Sequence, residues 1–259
     1  MTIDHRLSTD MRAILTYHSI DSSASPISVS PAAFRQQVEW LASGRVRVVS
    51  LEELLRTPQG EDAVALTFDD GFVNFGTEVA PLLKEYSLPA TVFIVAGQVG
   101  RTNAWSGRAD PRIPTLPLLS WERLALLGER GIRLGAHTMT HPHLTKLPLH
   151  ALDEELAGAS ELIREETGRR PDEFAYPYGD VNPAVAAAVA KVYARACTTE
   201  LRVIRPGDRA ELLPRLDMFY WREPGRLEAW GSARFQGRLW MRAQARRLRQ
   251  RLDAGSSRW

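Results

Sequence analysis

Short, strongly apolar runs alternate with longer stretches of helical periodicity along most of this chain, and that alternation leaves few folds open. Repeated βα units bury both faces of each strand under helices, so they build a mostly parallel sheet or barrel. The fold class is therefore α/β. Strands are expected at Arg12–Tyr17, Val46–Val49, Ala63–Phe68, Thr91–Val95, Ile132–Ala136, Phe174–Tyr176 and Tyr193–Cys197. Ser30 followed by Pro31 is an N-cap with proline at the first helical position, and opens a helix from Ala32 to about Ser43. Further helices are expected near Thr77–Tyr86, Trp121–Arg130, Ala151–Thr167 and Pro183–Val192. Gly97–Leu118, rich in Gly, Pro and polar residues, reads as a long loop of the kind that forms lids or binding walls.

With 259 residues, 44% of them hydrophobic and 25% charged, the chain can bury one sizeable core, which excludes disorder and fibrous repeats. Its single cysteine, Cys197, rules out an internal disulfide and a thiolate metal cluster. No run approaches the ~18 apolar residues that span a bilayer, and the first thirty residues hold no basic start followed by an apolar run. A cytoplasmic location is the expectation. The net charge of +2 is unevenly spread: Arg222 to Trp259 holds ten Lys and Arg against three Asp and Glu, a surplus of seven. Two units are expected, a main α/β domain over residues 1–221 and a basic amphipathic helical tail over 222–259.

Three stretches carry chemistry. Thr67-Phe68-Asp69-Asp70-Gly71 places two carboxylates after a buried strand, where a glycine allows a sharp turn. Adjacent acids are either a solvated turn or a pair whose repulsion a cation relieves. His137-Thr138-Met139-Thr140-His141 follows a second strand, and two imidazoles with one Asp oxygen make a His₂Asp site with an open position, as in catalytic zinc centres. Phe174-Ala175-Tyr176-Pro177-Tyr178-Gly179 is a bent strand exit whose rings line either a pocket or the core.

In this order the three motifs resemble the polysaccharide deacetylase family, carbohydrate esterases related to the nodulation-factor chitooligosaccharide deacetylase. The resemblance runs from about Ala13 to Phe219. It implies a distorted (β/α) barrel, a divalent metal that is usually zinc, and hydrolysis of an N-acetyl group on an amino sugar. By position it implies Asp69 as general base, Asp70, His137 and His141 as metal ligands, and the Tyr178 backbone N–H as oxyanion donor.

Two departures matter. The arginine that usually opens the third motif and holds the catalytic Asp is replaced by Ala175, and Arg215 in Leu213–Met218 is either its substitute or a surface residue. The family's late histidine is also missing, since no histidine follows His150. His18, ending the first strand, is similar to the arrangement in poly-N-acetylglucosamine deacetylases, which implies that it protonates the leaving amine. Trp105 and Tyr176, with Tyr178, offer rings for stacking on a sugar or for the core.

The expected substrate is an N-acetylated amino sugar in a glycan, a lipid-linked precursor or a sugar conjugate. Two other readings stand beside it: an amidohydrolase acting on a non-sugar amide or cyclic imide, and a catalytically impaired carbohydrate-binding relative. In the tail, Met241, Ala245, Leu248 and Leu252 recur at helical spacing beside Arg238, Arg242, Arg246 and Arg249. Such a helix either lies on an anionic membrane or packs on the barrel. No nucleic-acid-binding fold accompanies the charge.

Overall fold

The computed structural model describes residues 10–105 and 111–256, with side chains up to residue 248. The strands are β1 (Arg12–Tyr17), β2 (Ser19–Ile20), β3 (Ser28–Val29), β4 (Arg47–Val48), β5 (Ala63–Phe68), β6 (Ala90–Ile94), β7 (Arg133–Ala136), β8 (Glu173–Ala175), β9 (Arg195–Cys197) and β10 (Leu216–Asp217). The helices are α1 (Pro31–Ala42), α2 (Leu51–Arg56), α3 (Ala80–Glu85), α4 (Trp121–Glu129), α5 (Leu149–Asp153), α6 (Ala159–Thr167), α7 (Pro183–Val192) and α8 (Ala233–Ser256).

The main sheet runs β10-β1-β5-β6-β7-β8-β9, with β4 added against β5, and all these pairings are parallel. Leu213, just before β10, bridges to Cys197 of β9, so the last strands approach each other and the sheet curls into a distorted barrel. All six residues of β5 are buried, as parallel strands covered on both faces require. The short pair β2–β3 lies outside the main sheet.

Helix starts follow local chemistry. The side chains of Ser30, Ser50, Ser120 and Asn182 accept hydrogen bonds from the N–H three residues on, satisfying orphan donors at α1, α2, α4 and α7. The helix expected at Ala151–Thr167 begins at Leu149 and is interrupted by a π-helical turn at Glu154–Gly158. A second π turn, Phe75–Val79, precedes α3.

At the C-terminal ends of β1 and β5, Tyr17 stacks on Phe68 at 5.0 Å and meets Phe34 edge-on at 5.2 Å. Gln37 of α1 ties this cluster to the far end of the chain: its side chain accepts from the Tyr17 hydroxyl at 3.0 Å and donates to the Trp221 carbonyl at 2.9 Å. Trp221, Leu227 and Phe235 all belong to the main core, so residues on both sides of position 221 share one interior. Among the described residues no helix is long and apolar enough to cross a membrane.

Candidate active site and metal centre

Parallel strands deliver their C-terminal ends to one rim, and every residue with chemistry in the three motifs stands there. Asp69 and Asp70 follow β5, His137 follows β7, Tyr178 follows β8 and His18 follows β1. Two adjacent acids face one cavity because the chain turns sharply between them, with Asp70 at φ 72° and Gly71 at φ 74°. A Cβ at Gly71 would lie 2.9 Å from the Ile94 side chain, so glycine is needed there for space as well as for the turn.

The His137–His141 loop is bent by the same means, with Thr138 at φ 68° and His141 at φ 64°. Glu155, from the π turn, holds it: its carboxylate accepts from the Met139 and Thr140 N–H groups, both at 2.9 Å. Nothing in the local sequence marks Glu155 as a site residue, because it lies on a helix 15 positions away and acts only through the fold.

Asp70 Oδ1 lies 3.6 Å from His137 Nε2 and 3.7 Å from His141 Nε2, and the ligand atoms of all three residues fall within 4.8 Å of one another. Those gaps are too long for hydrogen bonds. Asp70 Oδ1 is buried without a partner, which is costly unless a cation completes the group. Burial pushes the Asp70 carboxyl above its ordinary value. Burial, then the neighbouring His137, holds His141 well below the usual histidine range, so it is neutral as a ligand must be. His137 Nδ1 sits 2.7 Å from the Ala175 carbonyl, and donating there leaves Nε2 with its lone pair toward Asp70. The donor set fits a divalent metal.

Asp69 is held quite differently. Arg215 forks onto it, Nη1 to Oδ1 at 2.6 Å and Nη2 to Oδ2 at 2.7 Å, while its Nε donates to the Thr198 carbonyl at 2.9 Å. Arg215 is 2% exposed. It is a buried partner of Asp69 and not a surface residue. Burial works to raise the Asp69 carboxyl, yet the charge of Arg215, then of His18 and His137, holds it well below the usual carboxylate range. His18 Nε2 stands 3.7 Å from Asp69 Oδ2, with the imidazole 27% exposed to the cavity.

These groups line a cavity of about 970 Å³. Trp105, from the long loop, lies with its ring centroid 4.6 Å from that of His141. Tyr178, 45% exposed and at φ 60°, meets His141 edge-on at 4.6 Å and stacks on His143 at 4.3 Å. Tyr176 borders the cavity as well, but its ring is buried edge-on to Phe174 and its hydroxyl donates to the Glu211 carbonyl at 2.8 Å, so the ring is packed and not open for the stacking expected of it. The wall also contains residues that no motif announced: Arg112 from the long loop, Lys146 from the 3-10 turn Leu144–Lys146, Asp217 from β10 and Arg246 from α8. Arg246 Nη1 lies 3.8 Å from Asp217 Oδ2, which anchors α8 at the cavity.

A family model described as "Polysaccharide deacetylase" matches residues 56–196, just over half of the chain. The chain is 27% identical over 193 residues to YxkH of Bacillus subtilis, which covers 72% of this chain and 64% of that protein, under two thirds of its length. It is 24% identical over 206 residues to the poly-beta-1,6-N-acetyl-D-glucosamine N-deacetylase of Staphylococcus aureus, covering 73% of this chain and 67% of the relative. The solved structure of IcaB from Ammonifex degensii superposes with a TM-score of 0.71 at 26% identity, covering 87% of this chain and 97% of that one.

Proposed function

The chain belongs to the polysaccharide deacetylase family, and on that premise we propose that it is a metal-dependent hydrolase that removes the N-acetyl group from an amino sugar in a glycan or sugar conjugate. The observation that carries the reading is the contrast between two neighbouring carboxylates in one cavity. Asp69 is forked by a buried arginine, and Asp70 is left facing two imidazoles with an unpartnered oxygen. Two acids in such different surroundings perform different tasks.

Asp70, His137 and His141 would hold the metal, and zinc would suit two imidazoles and one carboxylate. A divalent cation bound there would supply Lewis acidity toward the acetamide carbonyl and the attacking water. Asp69 accepts the proton of the attacking water. Its pairing with Arg215 keeps it ionised and fixes its direction, at the expense of basicity. The Tyr178 backbone N–H donates to the developing oxyanion, a contribution of ~2.7–4 kcal/mol for a well-placed donor. His18, on the cavity side of Asp69, passes a proton to the departing amine. Trp105 and the exposed Tyr178 ring give a sugar two aromatic surfaces beside the ligand histidines.

The test is acetate release by the zinc-loaded protein from soluble β-1,6- and β-1,4-linked N-acetylglucosamine oligomers. Asp69→Asn should lower turnover by ~10²–10⁴ with metal retained, the range for loss of a general base. His137→Ala should lose the metal by elemental analysis. Acetate or amine release from non-sugar amides alone would replace the sugar reading with the amidohydrolase one.

A further inference from the structure

Helix α8 has two faces, and among the described residues only the inner one has found a partner. On the inner face Phe235 packs between Trp221 and Trp230, with centroids at 5.4 and 5.2 Å, and Leu239 and Ala243 lie against the core. Arg242 covers the Tyr220 ring at 5.2 Å, and Arg246 and Arg247 approach Asp217 and Glu200. The outward face is apolar instead of polar. Met241, Ala245 and Leu248 follow the i, i+4, i+7 spacing of one helical stripe and are exposed, with Trp240 at its edge. Trp240 is 64% exposed, Met241 60% and Leu248 61%, which makes this helix the bearer of three of the six exposed large hydrophobics among the described residues.

The charge around that stripe has one sign. From Ala229 to Leu252 the sequence holds seven arginines and no aspartate or glutamate. Arg234, Arg238 and Arg242 form no ion pair with any described residue. Partial burial and then the charge of Arg238 lower the affinity of the nearby Arg226 guanidinium for its proton, with Arg242 and Arg222 adding to the effect and Glu223 opposing it.

We propose that the outward face of α8 is a docking surface for an anionic lipid bilayer. An apolar stripe in a cationic frame matches the two layers it would meet: acyl chains for Met241, Leu248 and the Trp240 indole, and acidic headgroups for the arginines. A protein partner offers no comparable reason for so uniform a frame. The helix is ~10–12 Å across with its side chains, and its inner face carries Arg246 into the cavity wall. Docking therefore brings the catalytic cavity within about one helix diameter of the headgroups, where a membrane-borne glycan is within reach.

The experiment uses the full chain and vesicles, with no activity readout, so it stands apart from the deacetylase reading. At about 10 mM salt, where the Debye length is ~30 Å, the protein should sediment with phosphatidylglycerol-containing vesicles and not with pure phosphatidylcholine; at about 1 M, where it is ~3 Å, it should be released. Lipids brominated in their acyl chains should quench the bound protein's fluorescence, and Trp240→Phe should remove much of that quenching. The combined Trp240→Ser, Met241→Ser, Leu248→Ser variant should bind at least about tenfold more weakly, the scale set by apolar burial, and Arg234→Glu with Arg238→Glu should abolish the preference for anionic lipid. Absence of wild-type sedimentation at low salt would overturn the proposal. So would unchanged binding by the triple variant, or a dimer that the triple variant disrupts in a protein that ignores vesicles.

Discussion

At the scale of a single residue, the site turns on a guanidinium that forks onto a carboxylate. Two parallel N–H donors fix the plane of Asp69 as well as its charge, and a lysine ammonium could supply only the charge. Arg215→Lys should therefore lower kcat by about 10²-fold through misdirection of Asp69, with KM and metal content little changed. Arg215→Met leaves a buried carboxylate without its partner and should cost about 3–5 kcal/mol of stability, read as a fall in Tm. Equal activity in Arg215→Lys would mean that Asp69 needs only a nearby charge. His18 makes a separate prediction, because a proton donor matters most when the leaving group is poor. His18→Ala should slow amide hydrolysis far more than hydrolysis of an activated acetyl ester, and equal losses would assign His18 a structural task. Both residues could be singled out in the sequence as alternatives, but the choice between partner and surface residue for Arg215 needed a contact spanning 146 positions. Glu155 had no sequence signal at all, since a lone acid on a helix looks like any solvated acid.

At the scale of elements, what the sequence made legible follows length and periodicity. Strands with five or six buried residues, β1, β5 and β6, were predicted to within a residue, and α7 was bounded by Asn182 and Pro183. The six-residue α2 and the two-residue β10 are too short to show a period, and they exist because the sheet receives them. Tyr176 stayed open between pocket and core for a related reason: alternation assigns faces only along an extended strand, and Pro177 ends the strand exit in a turn. On β8, Glu173 supplies a pH prediction. It is buried with one oxygen unpartnered, accepting from Thr91 at 2.7 Å and 3.6 Å from the Arg195 Nε. Burial outweighs these partners and raises its carboxyl above the ordinary glutamate value. Because the folded state holds this proton more tightly than the unfolded chain, stability is undiminished below the unfolded value of ~4.3 and falls as pH rises from there through the raised folded one. Glu173→Gln removes that dependence. Relative to wild type its Tm should rise, by a margin that grows as pH climbs through this window and closes below it; a margin independent of pH would show that the charge of Glu173 is not what costs stability.

At the scale of the whole molecule, the last helix sets one face into the common core and leaves the other exposed among the described residues. Helical periodicity in the sequence marks an apolar stripe through Met241, Ala245, Leu248 and Leu252, the last outside the described side chains, yet the stripe that packs runs through Phe235, Leu239 and Ala243. The rings that receive Phe235, those of Trp221 and Trp230, lie outside the helix, and Trp230 in turn meets Trp40 of α1 at 6.3 Å. The two faces should therefore respond to substitution in opposite ways. Phe235→Ala empties a site that is 1% exposed in the common core and should cost about 3–5 kcal/mol, the range for a buried phenylalanine. Trp240→Ser, at a position 64% exposed, should change stability by no more than about 0.5 kcal/mol. Denaturant melts of the two variants, followed by far-UV circular dichroism, make the comparison, and acetate release adds a second axis: Phe235→Ala should lose activity at the lower denaturant concentration where its barrel opens, because α8 and the cavity wall share Arg246. Should Phe235→Ala melt like wild type, α8 would be an appendage resting on a barrel that is complete without it, and residues 222–259 would form a unit of their own.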